Sequence, residues 1–460
     1  MMAALTLDCI AARIGADYRG AALSLTGVAI DSRRVAPGDL FVAIPGARVD
    51  GHDYVAAARD RGAVAAVVQR PVDAQLPCLQ VADCLQALTE IGRANRDAYR
   101  GTLIAITGSC GKTSVKNMCH TVFSVDNGAA VVATAGNYNN EIGVPLTLAR
   151  LRDDTRFAVV EMGATRRGDV AHLCRLARPQ ISTVLNAMEA HLEGFGSVAD
   201  VADIKAEIFD ALDEDGFAIL NLDQPWASLW RERVAASGAQ AVTYALASAA
   251  DVTAAAISDQ GIAGSAFELH IRGDSRALTL PLPGRHNVAN ALAAAALATA
   301  AGLPIDTIVA GLERCTPEPG RLSSEQLSGD TVLVDDSYNA NPGSVRAAIQ
   351  LLARTPGHST LILGEMLELG DESRSLHAQM GQLARDAGLR RFVGVGAALQ
   401  PAVQAFGSDA LWFADRDALA AALPALLAES DTILVKGSRG AAMEKVLADL
   451  RELAGEGATC

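Results

Sequence analysis

A short apolar stretch that runs into glycines constrains this chain more than any other feature. Leu103-Ile104-Ala105-Ile106 reads as a buried strand, and Thr107-Gly108-Ser109-Cys110-Gly111-Lys112-Thr113-Ser114 follows it directly, ahead of a helix-compatible segment. Strand, glycine-broken turn, lysine and hydroxyl in that order make a phosphate-binding loop. Gly108 and Gly111 let backbone N–H groups turn toward an anion, and the new helix presents its positive end. Lys112 reaches the outer phosphates, and Thr113 offers a hydroxyl to Mg²⁺. The strict motif wants another glycine at Ile106, so this is a shortened form. Cys110 stands where Ser, Thr or Asn would pack equally well. The helix end and Lys112 favour a reactive thiolate there, and the plainer alternative is an inert small side chain turned away from the ligand.

At 460 residues the chain is too long for one core and implies about three domains. A net charge of −14 argues against a broad nucleic-acid or anionic-membrane surface, so anionic ligands need local sites. No apolar run is long enough for membrane insertion, and the N-terminus carries Asp8 with no basic region before an apolar core. A cytoplasmic protein without a signal peptide is expected. Eight scattered cysteines, with no Cys-x-x-Cys pair or zinc spacing, read as reduced thiols.

Along the chain, strands are expected at 28–30, 40–44 and 63–68 with a helix at 54–61, a small α/β unit. Its polar turn Asp31-Ser32-Arg33-Arg34 is either loop chemistry or a ligand contact. After the phosphate loop, strands (130–133, 157–160, 181–185) alternate with helices (144–151, 169–176), which implies a mainly parallel sheet with its ligand at the strands' carboxyl ends. Glu161 closes the second of these strands, a position from which a carboxylate reaches phosphate-bound Mg²⁺. Asn137 to Gly143 is an amide-rich loop, suited to a polar ligand or simply to a turn. His191 follows another strand tip. A helix is expected at 198–212, where Lys205 shares the apolar stripe of Val201, Ile208 and Phe209; it either snorkels or serves a phosphate site. Two β runs, 217–221 and 267–282, and an alanine-rich helix lead to a boundary near Cys315. A further α/β pattern follows, with strands at 331–334, 360–363, 391–395 and 432–435 and no phosphate loop of its own.

These residues resemble, in their order along the whole chain, the ATP-dependent Mur ligases of peptidoglycan synthesis. The resemblance is carried by Thr107 to Thr113, Glu161, His191, Lys205 ahead of Glu207-Ile208-Phe209, the His286 to Asn290 segment, Arg321 and Asp336. It implies an α/β fold of three domains: a UDP-binding unit over 1–100, a central ATP-binding unit over 101–315 and a Rossmann-like unit over 316–460. The segments Gly136 to Pro145 and Asp336 to Pro342 look like those of the member that adds D-alanyl-D-alanine to UDP-N-acetylmuramoyl-tripeptide. The alternatives are the tripeptide-forming ligase and, outside enzymes, a nucleotide-dependent switch.

By the same resemblance ATP lies on Gly108, Ser109, Cys110, Gly111, Lys112, Thr113 and Ser114, with Asn290, Arg321 and Asp336 as further nucleotide contacts. Two Mg²⁺ ions are implied, one on Thr113 and Glu161 and one on Glu161, His191 and Lys205, the lysine being carbamylated. Lys112, Glu161, His191 and Lys205 are the implied catalytic set. Ser32, Arg33, Asn139 and Asn140 are candidates for the uridine-nucleotide substrate, and a monomer is expected. The phosphate loop and Asp336 can serve one ATP only if the central and last units meet.

Overall fold

The computed structural model describes residues 6–46, 49–189, 195–327 and 331–456, built around three sheets. The first has four parallel strands in chain order, β1 (Gly27–Ala29), β2 (Asp39–Val42), β3 (Ala65–Val68) and β4 (Cys78–Gln80). The helix Cys84–Ala98 covers it, capped by Asp83. Chain and phosphate loop then enter the nine-stranded sheet, whose strands are β5 (Thr102–Thr107), β6 (Val131–Ala133), β7 (Phe157–Glu161), β8 (Ile181–Val184), β9 (Phe217–Asn221), β10 (Gln240–Ala245), β11 (Val252–Asp259), β12 (Ser265–Ile271) and β13 (Asp274–Leu280). Their order is β13-β12-β11-β10-β9-β8-β5-β7-β6, parallel except at β12 and β13. The third sheet orders β14 (Ser323–Gln326), β15 (Val332–Asp336), β16 (Ser359–Gly364), β17 (Arg391–Val395), β18 (Ala410–Phe413) and β19 (Thr432–Lys436) as β14-β15-β19-β16-β17-β18.

Alternation decides which face each residue fills. On β5, Ile104 and Ile106 enter one core and Leu103 and Ala105 the other, so the sheet is buried on both sides. The helix Lys112–Asn127 lays Val115, Met118, Cys119, Val122 and Phe123 on the first of these cores at helical spacing, and Phe123 stacks on Phe157 with centroids 4.5 Å apart. From β5 the chain crosses to β6 and β7 on one side and then to β8 on the other. That reversal opens a crevice at the carboxyl ends of β5, β7 and β8, where ligands bind in such sheets.

Two expected elements differ, and five strands were not expected. The helix expected over 198–212 ends at Ala206; residues 207–212 tighten into turns as Glu207 swings its carboxylate onto Gly168 N and Ala171 N at 2.9 and 3.1 Å. The single β run expected over 267–282 is a hairpin, because Arg272 and Gly273 both take positive φ. β10, β11 and the short β4, β14 and β18 were outside the expectation, since alanine-rich or brief edge strands carry little alternation.

Candidate active site

A cavity of about 1380 Å³ lies at the carboxyl ends of the central strands. Its walls include Ser109 to Ser114, Asn139, Asn140, Glu161, Lys205 and Asn290 from the central part of the chain. Arg321, Asp336 and Lys436 close it from the third sheet, and Asp83 and Gln86 reach it from the helix over the first. The loop and Asp336 therefore share one space.

The loop is held by its own chemistry. Gly111 caps the helix Lys112–Asn127 at φ +83°, and a Cβ there would meet Asn290 Oδ1 at 2.7 Å, so this position requires glycine twice over. Asn290 in turn donates to Asn287 Oδ1 at 3.0 Å. Lys112 Nζ donates to Gly108 O at 2.5 Å, and burial lowers its pKa. Asn186, two residues past β8, clasps the loop: its Oδ1 accepts from Cys110 N at 2.9 Å and its Nδ2 donates to Cys110 O at 3.1 Å.

Glu161 ends β7 with only 2% of its surface exposed. Its Oε2 accepts from Thr113 Oγ1 at 2.9 Å and its Oε1 from Asn139 Nδ2 at 2.8 Å. Arg321 Nη2 donates to the same Thr113 hydroxyl at 3.1 Å while its guanidinium lies 4.2 Å over the Tyr338 ring. A buried carboxylate facing a hydroxyl across the head of a phosphate loop is an oxygen set of the kind Mg²⁺ takes. These two oxygens fit an ion that also takes ligands from phosphate and water.

Lys205 does not snorkel. It is 2% exposed, near the end of the helix Val198–Ala206, with Nζ 5.7 Å from the Phe195 ring. Among the described residues no hydrogen-bond acceptor or carboxylate is placed on that Nζ. Burial, reinforced by the charge of Lys112, pulls its pKa down to about 7. A large share of the amine is then neutral at physiological pH.

On the third sheet, β15 and β19 are parallel with Asp336 beside Lys436 in register. Adjacent positions on one face bring the two charges together, and Lys436 Nζ sits 2.6 Å from Asp336 Oδ2 and 2.9 Å from Asn339 O. Burial pushes the Asp336 carboxyl up while the ammonium opposes it. His286 is pushed down to about 4 by burial and by Lys436, so it stays a neutral ring on the cavity wall.

Most of the expected site residues thus converge. Ser32 and Arg33 do not line this cavity: Ser32 is buried in the turn Ser32–Arg34, and Arg33 points to solvent with Nη2 2.8 Å from Asp31 Oδ2. Asn140 spends its Oδ1 on Ile142 N and Gly143 N at the start of a helix. His191 lies outside the described residues. Asn186 and Lys436 were missed, although each follows or ends an expected strand, the position that should have marked them.

Cys110 lines the cavity, whereas burial raises the pKa of Cys119 and Cys174 and pushes Cys84 and Cys315 up to about 12. Mild iodoacetamide is expected to inactivate the protein through Cys110, with MgATP protecting, while those four stay unlabelled. Peptide mass mapping alongside activity checks this; loss of activity with Cys110 unlabelled would refute it.

The model of the Mur ligase family catalytic domain matches residues 24–96, that of the Mur ligase middle domain 106–298, and that of the Mur ligase glutamate ligase domain 320–439. The UDP-N-acetylmuramoyl-tripeptide--D-alanyl-D-alanine ligase of Escherichia coli K12 is 44% identical over 98% of this chain and 99% of its own. A crystal structure of MurF from Acinetobacter baumannii superposes with a TM-score of 0.87 at 32% identity, covering 96% of this chain and 98% of that one. MurF ligase from Thermotoga maritima in complex with ADP gives 0.79 at 26% identity over 95% and 100%. With the three models falling in turn on the three sheets, and with similarity running the length of both chains, this chain belongs to the Mur ligase family.

Proposed function

We propose that this Mur ligase joins UDP-N-acetylmuramoyl-tripeptide to D-alanyl-D-alanine, cleaving ATP to ADP and phosphate and yielding the UDP-linked pentapeptide. The observation that carries the reading is the single cavity in which the phosphate loop, Glu161 and Lys205 face Arg321 and Asp336. The full-length similarity to ligases named for these substrates supports the choice of acceptor and amine.

The tripeptide's terminal carboxylate attacks the γ-phosphorus of ATP, releasing ADP and leaving an acyl phosphate. The dipeptide amine then attacks the acyl carbon, loses a proton, and expels phosphate as the amide forms. Two anions must meet in the first step, so charge compensation and positioning dominate. Lys112 and the backbone N–H groups of Ser109 to Thr113 bind the outer phosphates. Thr113 and Glu161 would hold a first Mg²⁺, which would offset phosphate charge; Glu161, Lys205 and His191, the last outside the described residues, would hold a second.

A lysine ammonium cannot ligate a cation. Lys205 has the means to stop being one: with its pKa near 7, its neutral amine can add to CO₂, releasing a proton and becoming a carbamate oxygen donor. Asn290, Arg321 and Asp336 contact the nucleotide, and Asn139 and Asn140 lie on the acceptor side. Ser32 and Arg33 are left with the distal uridine nucleotide, beyond the cavity.

No helix among the described residues is long and apolar enough to cross a membrane. We assign the enzyme to the cytoplasm, where ATP and UDP-linked precursors are found, and read it as a monomer. Phosphate release over a matrix of UDP-peptides and amines tests the function. Release is expected only with the tripeptide and D-alanyl-D-alanine together; release with the dipeptide acceptor and a diamino acid would establish the tripeptide-forming reaction instead, and release independent of any amine would exclude ligation.

A further inference from the structure

The third sheet touches the phosphate loop through the first turn of one helix. The helix Pro342–Leu352 opens on Asn341, whose Oδ1 accepts from Ser344 N at 2.9 Å while Ser344 Oγ accepts from Asn341 N at 3.0 Å. That reciprocal cap engages the oxygen of the amide, which also lies 3.4 Å from Cys110 Sγ, and leaves its N–H₂ facing away from the helix. There it donates to Cys110 Sγ at 3.0 Å, across a separation of 231 residues. Cys110 is itself fixed, its backbone N and O both held by Asn186. A second contact lies beside the first. Gly343 sits so close to Met188 that a Cβ would meet Met188 Sδ at 2.7 Å, and Met188 N donates to Ser109 Oγ at 3.1 Å. The helix start therefore meets the loop directly at Cys110 and, through Met188, at Ser109.

We propose that Asn341 is a positioning residue for ATP: its one amide caps the helix and docks the third sheet on the loop thiol, setting Arg321 and Asp336 over a nucleotide whose phosphates the loop holds. The proposal rests on the ATP-dependent reading of the cavity.

Asn341→Ser keeps a capping oxygen and withdraws the N–H donor. Cys110→Ala removes the acceptor, and Cys110→Ser supplies one again. In full-length protein, kcat/KM for ATP is expected to fall about tenfold in Asn341→Ser and in Cys110→Ala, and no further in the double variant, because both remove one contact. Cys110→Ser should recover most of what Cys110→Ala loses, and KM for the UDP-tripeptide should stay put, as a general loss of packing would not allow. Losses that add in the double variant, or wild-type kcat/KM in Asn341→Ser, overturn the proposal. If wild type releases no phosphate with these substrates, the ligase reading fails on its own. The thermal shift induced by ADP then decides the contact: a smaller shift in Asn341→Ser than in wild type supports it, and an equal shift refutes it.

Discussion

Lys205→Ala is expected to lower turnover by roughly 10²–10³-fold or more, the range seen when one preorganised charge-stabilising group is removed. The motive is geometric: a lysine 2% exposed, on no acceptor among the described residues, pulled down to about pKa 7 by burial and by Lys112. A permanently charged lysine in that position would repel a metal ion, whereas a carbamate would ligate it. Two further results follow. Acetate or another short carboxylate should partly restore Lys205→Ala, and wild type equilibrated with ¹³CO₂ should show a carbamate carbon by NMR that Lys205→Ala lacks. The pH dependence has a definite sign. The folded pKa lies below that of a free lysine, so the amine reactive toward CO₂ dominates above about pH 7 and is lost as pH falls through it. Activity should decline on that acid limb, and less steeply when bicarbonate is raised. Full activity of Lys205→Ala in CO₂-depleted buffer would end the carbamate reading.

Glu161→Gln is expected to cost about 10²–10³-fold in kcat with little change in melting temperature. The glutamine oxygen can still accept from Asn139 and the amide nitrogen can still meet the Thr113 hydroxyl, so the local hydrogen bonds survive while the charge is lost. Because the charge is what a hard cation needs from this side chain, the Mg²⁺ concentration for half-maximal phosphate release should rise by more than about tenfold. An unaltered Mg²⁺ dependence together with reduced kcat would move the metal away from Glu161.

Legibility in the sequence tracked how local each interaction is. The β5 strand, the loop and the helix Lys112–Asn127 are contiguous, and composition alone marks them: β-branched residues, glycines, then apolar residues at helical spacing. Glu161 and Asp336 were legible as polar residues closing apolar strands, because a parallel sheet collects its ligands at that end. The partners of these residues were not. Lys436 ends a strand just as clearly, yet only the register of β15 against β19 shows that it faces Asp336. The early end of the helix at Ala206 was hidden for the same reason, since Glu207 is drawn off by backbone N–H groups of a different helix.

Periodicity and turn chemistry by themselves determined the α/β class, the phosphate loop and the strand tips where chemistry collects, because each depends on the backbone preferences of neighbouring residues. Tertiary structure alone decided which of those tips share a cavity. It set Thr113 between Glu161 and Arg321, lowered the Lys205 pKa by enclosing it beside Lys112, left Arg33 on Asp31 at the surface, and put the amide of Asn341 on Cys110. Distances and desolvation set those outcomes, and both belong to residues brought together from far along the chain, where no local pattern records them.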